Sequence, residues 1–175
     1  MNLTNLYVWR NVCAAYLPLE SVLTTLDMAD EAVICVDPTS TDETCDLAYA
    51  ISQKYPQVRV IEHVWDMTSK MGSAIGEASN FALKHVETEL VCNVQADEVW
   101  YAELTDWVKN SKENFREGDL FSFSFLHTRY NAQELQANAG YKTAVKMARM
   151  STSLKFARDA WCFEGDDTDM LHVGL

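Results

Sequence analysis

The stretch AVICVDPTSTDET, residues 32 to 44, joins five apolar residues to an acidic, hydroxyl-rich run. Its apolar half has the length and composition of a buried strand. Its polar half begins at Asp37, where that strand stops, and open α/β sheets bind ligands at such carboxyl ends. A second stretch, LVCNVQADE (90 to 98), likewise passes from an apolar run into Gln95, Asp97 and Glu98. Two such ends side by side in one sheet would offer one carboxylate to a nucleotide base and another to a divalent metal.

Outward from these stretches, strand and helix signals alternate. NLYVW (5 to 9) reads as a first strand and VRVIEHV (58 to 64) as a third. Pro18 suits the first turn of a helix through Ala29, with Val22, Leu23 and Leu26 on one face. Ser40 and Glu43 have capping-box spacing, which predicts a helix with Leu47, Ala50 and Ile51 inward. Ile75, Ala78, Ala82 and Val86 share a helical register over residues 73 to 86, and a further helix carries Leu104, Trp107 and Val108. This rhythm predicts a mostly parallel, Rossmann-like sheet flanked by helices across roughly the first 115 residues. Beyond it, DLFSFSFLHTRY (119 to 130) alternates Phe121, Phe123 and Phe125 with polar residues, as a half-buried strand does. The remainder reads as short mixed strands and loops.

The 175 residues fit one domain with a substantial core. The net charge of −12 argues against a nucleic-acid surface, which needs clustered Lys and Arg to neutralise phosphates. Five cysteines form no CxxC pair, and Cys35 and Cys92 fall inside strand candidates, so they read as reduced core residues of a cytoplasmic protein. No run approaches the apolar length of a membrane span. Glycine-rich phosphate loops and a GxSxG elbow are both missing, which removes dinucleotide, P-loop and serine-hydrolase readings.

Taken in order, YVWRN, VDPTSTDET, GEASNFAL and NVQADEV resemble the nucleotide-sugar half of family 2 glycosyltransferases, which have the GT-A fold. Asn11, Asp37, Ser40, Asp42, Thr44, Gly72, Asn80 and Asp97 fall on its pattern. Tyr141, Arg149, Asp159, Ala160 and Phe163 match a segment of one subgroup, so the likeness covers about residues 3 to 165. It implies one glycosyltransferase-like domain over 1 to 175, with a nucleotide-binding part to about 115 and an acceptor-side part beyond. The implied reaction is metal-assisted, inverting transfer of a sugar from a nucleotide-diphosphate donor to a hydroxyl of a carbohydrate or lipid-linked acceptor.

The resemblance also assigns roles. Asp37 would accept from the N–H groups of the base, with Arg10, Asn11, Lys70, Asn80 and Gln95 also on the donor, while Asp42 supports the following helix start. Asp97, helped by Glu98, would hold Mn²⁺ or Mg²⁺ against the diphosphate, as hard cations take oxygen ligands. Gln95 departs from the family, which commonly has Asp there, and an amide brings no charge. Asp159 is the expected general base, with Asp166 and Asp167 as rivals. Arg129 and Arg149 are further candidates for the diphosphate or the acceptor. A non-catalytic nucleotide-sugar-binding or scaffold protein and a nucleotidyltransferase are the alternative readings.

Overall fold

A computed structural model describes residues 1–68, 73–116, 119–125, 128–129, 134–135, 142–157, 159–160, 162–166 and 169–173. Four strands are parallel: β1 (Leu3–Trp9), β2 (Glu31–Val36), β3 (Val58–Glu62) and β4 (Leu90–Asn93). Helices α1 (Pro18–Thr25), α2 (Thr44–Lys54) and α3 (Ser73–Leu83) connect them, and α4 (Ala102–Ser111) follows β4. Next come β5 (Asp119–Ser124), the two-residue strands β6 (Thr128–Arg129) and β7 (Glu134–Leu135), and β8 (Thr143–Arg149). The last elements are β9 (Lys155–Ala157), β10 (Cys162–Glu164) and β11 (Asp169–Val173).

The main sheet has the order β11-β5-β8-β4-β1-β2-β3, with β8 antiparallel to both β4 and β5. The expected mostly parallel α/β sheet is therefore present, extended by mixed strands from the last third. The chain runs outward from β1 to β3 and then returns to place β4 on the other side of β1. That reversal makes the carboxyl ends of β1 and β4 the switch point where such sheets bind ligands.

Two cores cover the sheet, one per face. Leu3, Tyr7 and Trp9 of β1 point to one with Val22 of α1, Ile51 of α2 and Val108 of α4. Leu6 points to the other with Ala82 and Leu83 of α3 and Phe156 and Phe163 of β9 and β10. Because both faces are covered, β5 is buried from Asp119 through Phe123, Ser122 included, rather than half-buried as its alternation suggests. Phe123 packs its ring against Trp100 and Trp107, with centroids 5.4 and 6.3 Å away.

Two helix faces differ from expectation, and hydroxyl groups explain both. On α1 the inward residues are Pro18, Ser21, Val22 and Thr25, while Leu23 is exposed. Thr25 Oγ1 donates to the Ser21 carbonyl at 2.7 Å and is bonded to the Tyr7 hydroxyl at 2.7 Å, so these polar residues are buried with partners. On α2 the inward row is Thr44, Ala48 and Ile51, and Ala50 is exposed. No capping box forms, because Ser40 Oγ donates to the Asp37 carbonyl at 2.8 Å and the helix begins later. Burial pushes the Cys35 thiol up to about 12 and the Cys92 thiol well up too, as inert core cysteines require. Among the described residues no helix is long and apolar enough to cross a membrane.

Phe123→Ala should cost about 3 to 5 kcal/mol, since it empties the space between two tryptophans. Tyr101→Ala, at an exposed position, should stay within about 0.5 kcal/mol. Urea unfolding of the two variants measures the contrast.

Candidate functional site

Asp37 follows β2 and is fully buried, at 0% exposure. Its Oδ1 accepts from the Thr39 N–H at 2.8 Å and the Thr39 hydroxyl at 2.7 Å. Its Oδ2 accepts from Arg10 Nε at 2.9 Å and the Trp65 N–H at 3.3 Å. Arg10 follows β1 and Trp65 lies beyond β3, so one carboxylate joins the ends of three neighbouring strands. Burial alone would raise its pKa, but the Thr39, Trp65 and Arg10 donors outweigh burial and hold it below the usual range. Two donors on each oxygen fill the carboxylate's acceptor sites. A base N–H reaching Asp37 directly would have to displace one of them.

The rest of the acidic run joins the same two loops. Asn11 has φ 50°, a left-handed conformation that asparagine tolerates, and its Oδ1 accepts from the Thr41 N–H at 2.7 Å. The Thr44 hydroxyl accepts from the Val12 N–H at 2.9 Å and donates to Asp42 Oδ1 at 2.5 Å. Asp42 also accepts from the Thr44 N–H at 3.1 Å and the Ala14 N–H at 3.0 Å, supporting the start of α2. These bonds fix the loop after β1 against the loop after β2. Arg10 stays 25% exposed, and its terminal NH₂ groups carry no hydrogen bond to any described residue.

Beyond β4, Gln95 to Glu98 form a turn closed by the Glu98 N–H on the Gln95 carbonyl at 3.1 Å. The Ser21 hydroxyl donates to that same carbonyl at 2.8 Å and the Leu17 N–H donates to the Ala96 carbonyl at 3.2 Å, so α1 holds the turn in place. Asp97 is exposed at its tip. Glu98 points the other way: it is 7% exposed, and Lys146 Nζ of β8, 2% exposed, lies 2.5 Å from its Oε1. The same ammonium donates to Gln95 Oε1 at 2.9 Å. Glu98 Oε2 accepts from the Gln95 N–H at 3.2 Å.

A hard divalent ion needs anionic oxygen ligands converging on open space. Here Gln95 is neutral and bonded to an ammonium, and Glu98 is buried and already neutralised by it. Asp97 is the one carboxylate of the turn left facing outward. Among the described residues no group of three or more His, Cys, Asp and Glu could hold a metal. The residues expected to bind Mn²⁺ or Mg²⁺ therefore do not fit it.

Asp159 is exposed in the turn between β9 and β10. The next residue, Ala160, is buried with φ 61°, and its carbonyl accepts from Asn93 Nδ2 at 3.4 Å. Asn93 ends β4, so the turn bearing Asp159 is anchored beside the Gln95–Glu98 turn. Asn80 of α3 holds the hairpin from behind, donating to the Phe156 carbonyl at 3.1 Å and accepting from the Phe156 N–H at 2.8 Å. Its amide is thus engaged with backbone. Asp166 is exposed, with its N–H on Ser153 Oγ at 3.0 Å. Arg149 pairs with Leu90 at the start of β4, at the opposite edge of the sheet from the site, and donates to the Phe115 carbonyl. Lys70, Gly72, Tyr141 and Asp167 lie outside the described residues, as does the side chain of Arg129.

Sequence reasoning missed Lys146, Asn93 and Thr39. For Lys146 a signal existed, since a lysine in the apolar run TAVKMAR must bury its charge beside a carboxylate or turn outward. The paired Asn80 and Phe156 are 76 residues apart, and no local pattern announces such a contact.

The glycosyl transferase family 2 model matches residues 18–123. A crystal structure of S. aureus TarS 1-349 is similar in fold, with 17% identity and a TM-score of 0.58 over 99% of this chain and 58% of that one. TarS 1-349 in complex with UDP gives 18%, 0.56, 100% and 61% for the same quantities. The complex with UDP-GlcNAc gives 20%, 0.55, 85% and 45%. The chain thus spans about three fifths or less of these TarS chains. No curated protein matches it.

The lowered pKa of Asp37 means that its ionised form stabilises the fold fully above the unfolded value of about 3.9. That contribution is lost as pH falls through the lower folded value. Asp37→Ala should cost on the order of 3 kcal/mol at pH 7, since it leaves buried donors unpaired. Asp37→Asn should flatten the acid limb of the stability profile. Urea unfolding from pH 7 to pH 2 reads both effects.

Proposed function

The chain belongs to glycosyl transferase family 2, and from that membership we propose that it transfers a sugar from a UDP-linked donor to an acceptor hydroxyl with inversion. The observation that carries this reading is the meeting, at one edge of the sheet, of the Arg10–Asp37 pair, the Gln95–Glu98 turn and the turn bearing Asp159. Nucleotides bind α/β sheets at this kind of switch point. The solved TarS complexes with UDP and UDP-GlcNAc support the donor class.

In this reading Asp37 is a positioning residue. It fixes the Arg10 guanidinium so that the free NH₂ groups meet the carbonyl oxygens of the base or the ribose hydroxyls. Asn11 and the loop it locks line the same side, and Asn80 acts through the β9–β10 hairpin; the role on the diphosphate is assigned to Lys70. Asp97 faces the sugar and ribose hydroxyls. The acceptor, a carbohydrate or a lipid-linked saccharide, enters from the side of residues 116 to 175, which work with the first part as one unit. Five free cysteines with no disulfide among them suit a reducing compartment, so we place the protein in the cytoplasm.

Transfer then needs little of the protein beyond orientation and a base. The acceptor oxygen attacks the anomeric carbon from the face opposite the diphosphate, and its proton passes to Asp159. The bond from the anomeric carbon to the phosphate oxygen breaks, and its electron pair leaves with UDP. The strained Ala160 backbone, held by Asn93, keeps Asp159 in a set direction, and such strain is retained where surrounding structure over-determines it.

Asp159→Asn should leave UDP affinity within about twofold while cutting transfer by roughly 10² to 10⁴. Calorimetry with UDP and product formation from UDP-GlcNAc over an acceptor panel measure the two. Full transfer by the variant, with loss in Asp166→Asn, would move the base to Asp166. Binding of UDP without transfer or hydrolysis by the native chain would mark a non-catalytic binding protein.

A further inference from the structure

We propose that the chain takes its nucleoside diphosphate without a divalent metal, because the Lys146 ammonium, seated between Gln95 and Glu98, holds the place the cation would need. The identity of the ligand rests on the nucleotide-sugar reading; the statement about the metal rests on the geometry of the turn.

Three observations carry it. The first motif position is Gln95, whose Oε1 already accepts a hydrogen bond from the Lys146 ammonium at 2.9 Å. The remaining carboxylate beside Asp97 belongs to Glu98, which turns inward to the same ammonium at 2.5 Å. Lys146 itself is 2% exposed and lies over the Phe125 ring, with its nitrogen 5.4 Å from the centroid, so it is held from a third side. A cation entering this corner would meet an ammonium that cannot move away to water and a carboxylate whose charge is already compensated. A divalent ion there would be repelled by the Lys146 ammonium and would find Asp97 as the one carboxylate of the turn that faces outward.

The arrangement also explains why Gln95 suits its position. An aspartate there would add a second negative charge against one lysine, whereas the carboxamide accepts one hydrogen bond and leaves the Lys146–Glu98 pair balanced. Gln95 and Lys146 thus form one device, split between the end of β4 and the middle of β8.

The test has two arms on the full chain. Mn²⁺ alone is titrated and followed by electron paramagnetic resonance of the free ion, and UDP is titrated by calorimetry in EDTA and in Mn²⁺. No Mn²⁺ site tighter than about 1 mM and UDP affinities equal within about twofold in the two buffers are expected. A tighter Mn²⁺ site, or UDP affinity at least about tenfold higher with Mn²⁺, would overturn the proposal. Gln95→Asp combined with Lys146→Met should create a Mn²⁺ site at least about tenfold tighter than the native chain's. A folded double variant that gains none would remove Lys146 as the cause. If UDP binds in neither buffer, the nucleotide-sugar reading fails, while the Mn²⁺ arm still decides whether this corner takes a metal.

Discussion

The Asp37 carboxylate is the constraint on which the site depends. It is fully buried, yet ionised, because it collects donors from three loops: Arg10 after β1, Thr39 after β2 and Trp65 after β3. Hydrogen bonds to a buried charge are stronger than neutral ones, and loss of a partner leaves an expensive orphan. One side chain therefore fixes the relative height of three strand ends. The loops at those ends then form a rigid rim rather than independent segments.

The other half of the rim is built from the far side of the sheet. Asn80 grips the Phe156 backbone in both directions, and Asn93 takes the Ala160 carbonyl. Both asparagines occupy family-like or strand-end positions where a ligand contact would be the first guess. Their amides instead carry the β9–β10 hairpin to the end of β4, so that Asp159 is presented by a turn under strain. The place of the Asp159 turn is thus set by contacts behind it, from Asn80 to the Phe156 backbone and from Asn93 to the Ala160 carbonyl.

Much of the fold was legible because β1 to β4 obey simple rules. β2 and β4 hold short apolar runs, β1 and β3 are mostly apolar, and helical registers lie between them. The last third resisted for physical reasons. TAVKMAR (143 to 149) is an interior antiparallel strand, but its central lysine masks the pattern of a buried strand until Glu98 is known to face it. Hydroxyl residues misled in the same way: Ser21, Thr25 and Thr44 are core residues because their partners come from other elements. In the site, the residue types and their order were readable at Asp37, Gln95, Asp97 and Asp159. What each one touches was not, since the partner of Gln95 lies 51 residues away and those of Asp37 come from either side of it.

The proposed function requires a nucleotide to sit at the carboxyl ends of β1, β2 and β4. Backbone amide chemical shifts recorded during a UDP titration test this directly. Shifts should concentrate at residues 10–14, 37–44 and 95–98, the loops joined by Asp37, Asn11 and the Gln95–Glu98 turn. Saturable shifts confined to the opposite edge, around Asn2, Asp30 and Glu89, or no saturable shifts at all, would contradict it.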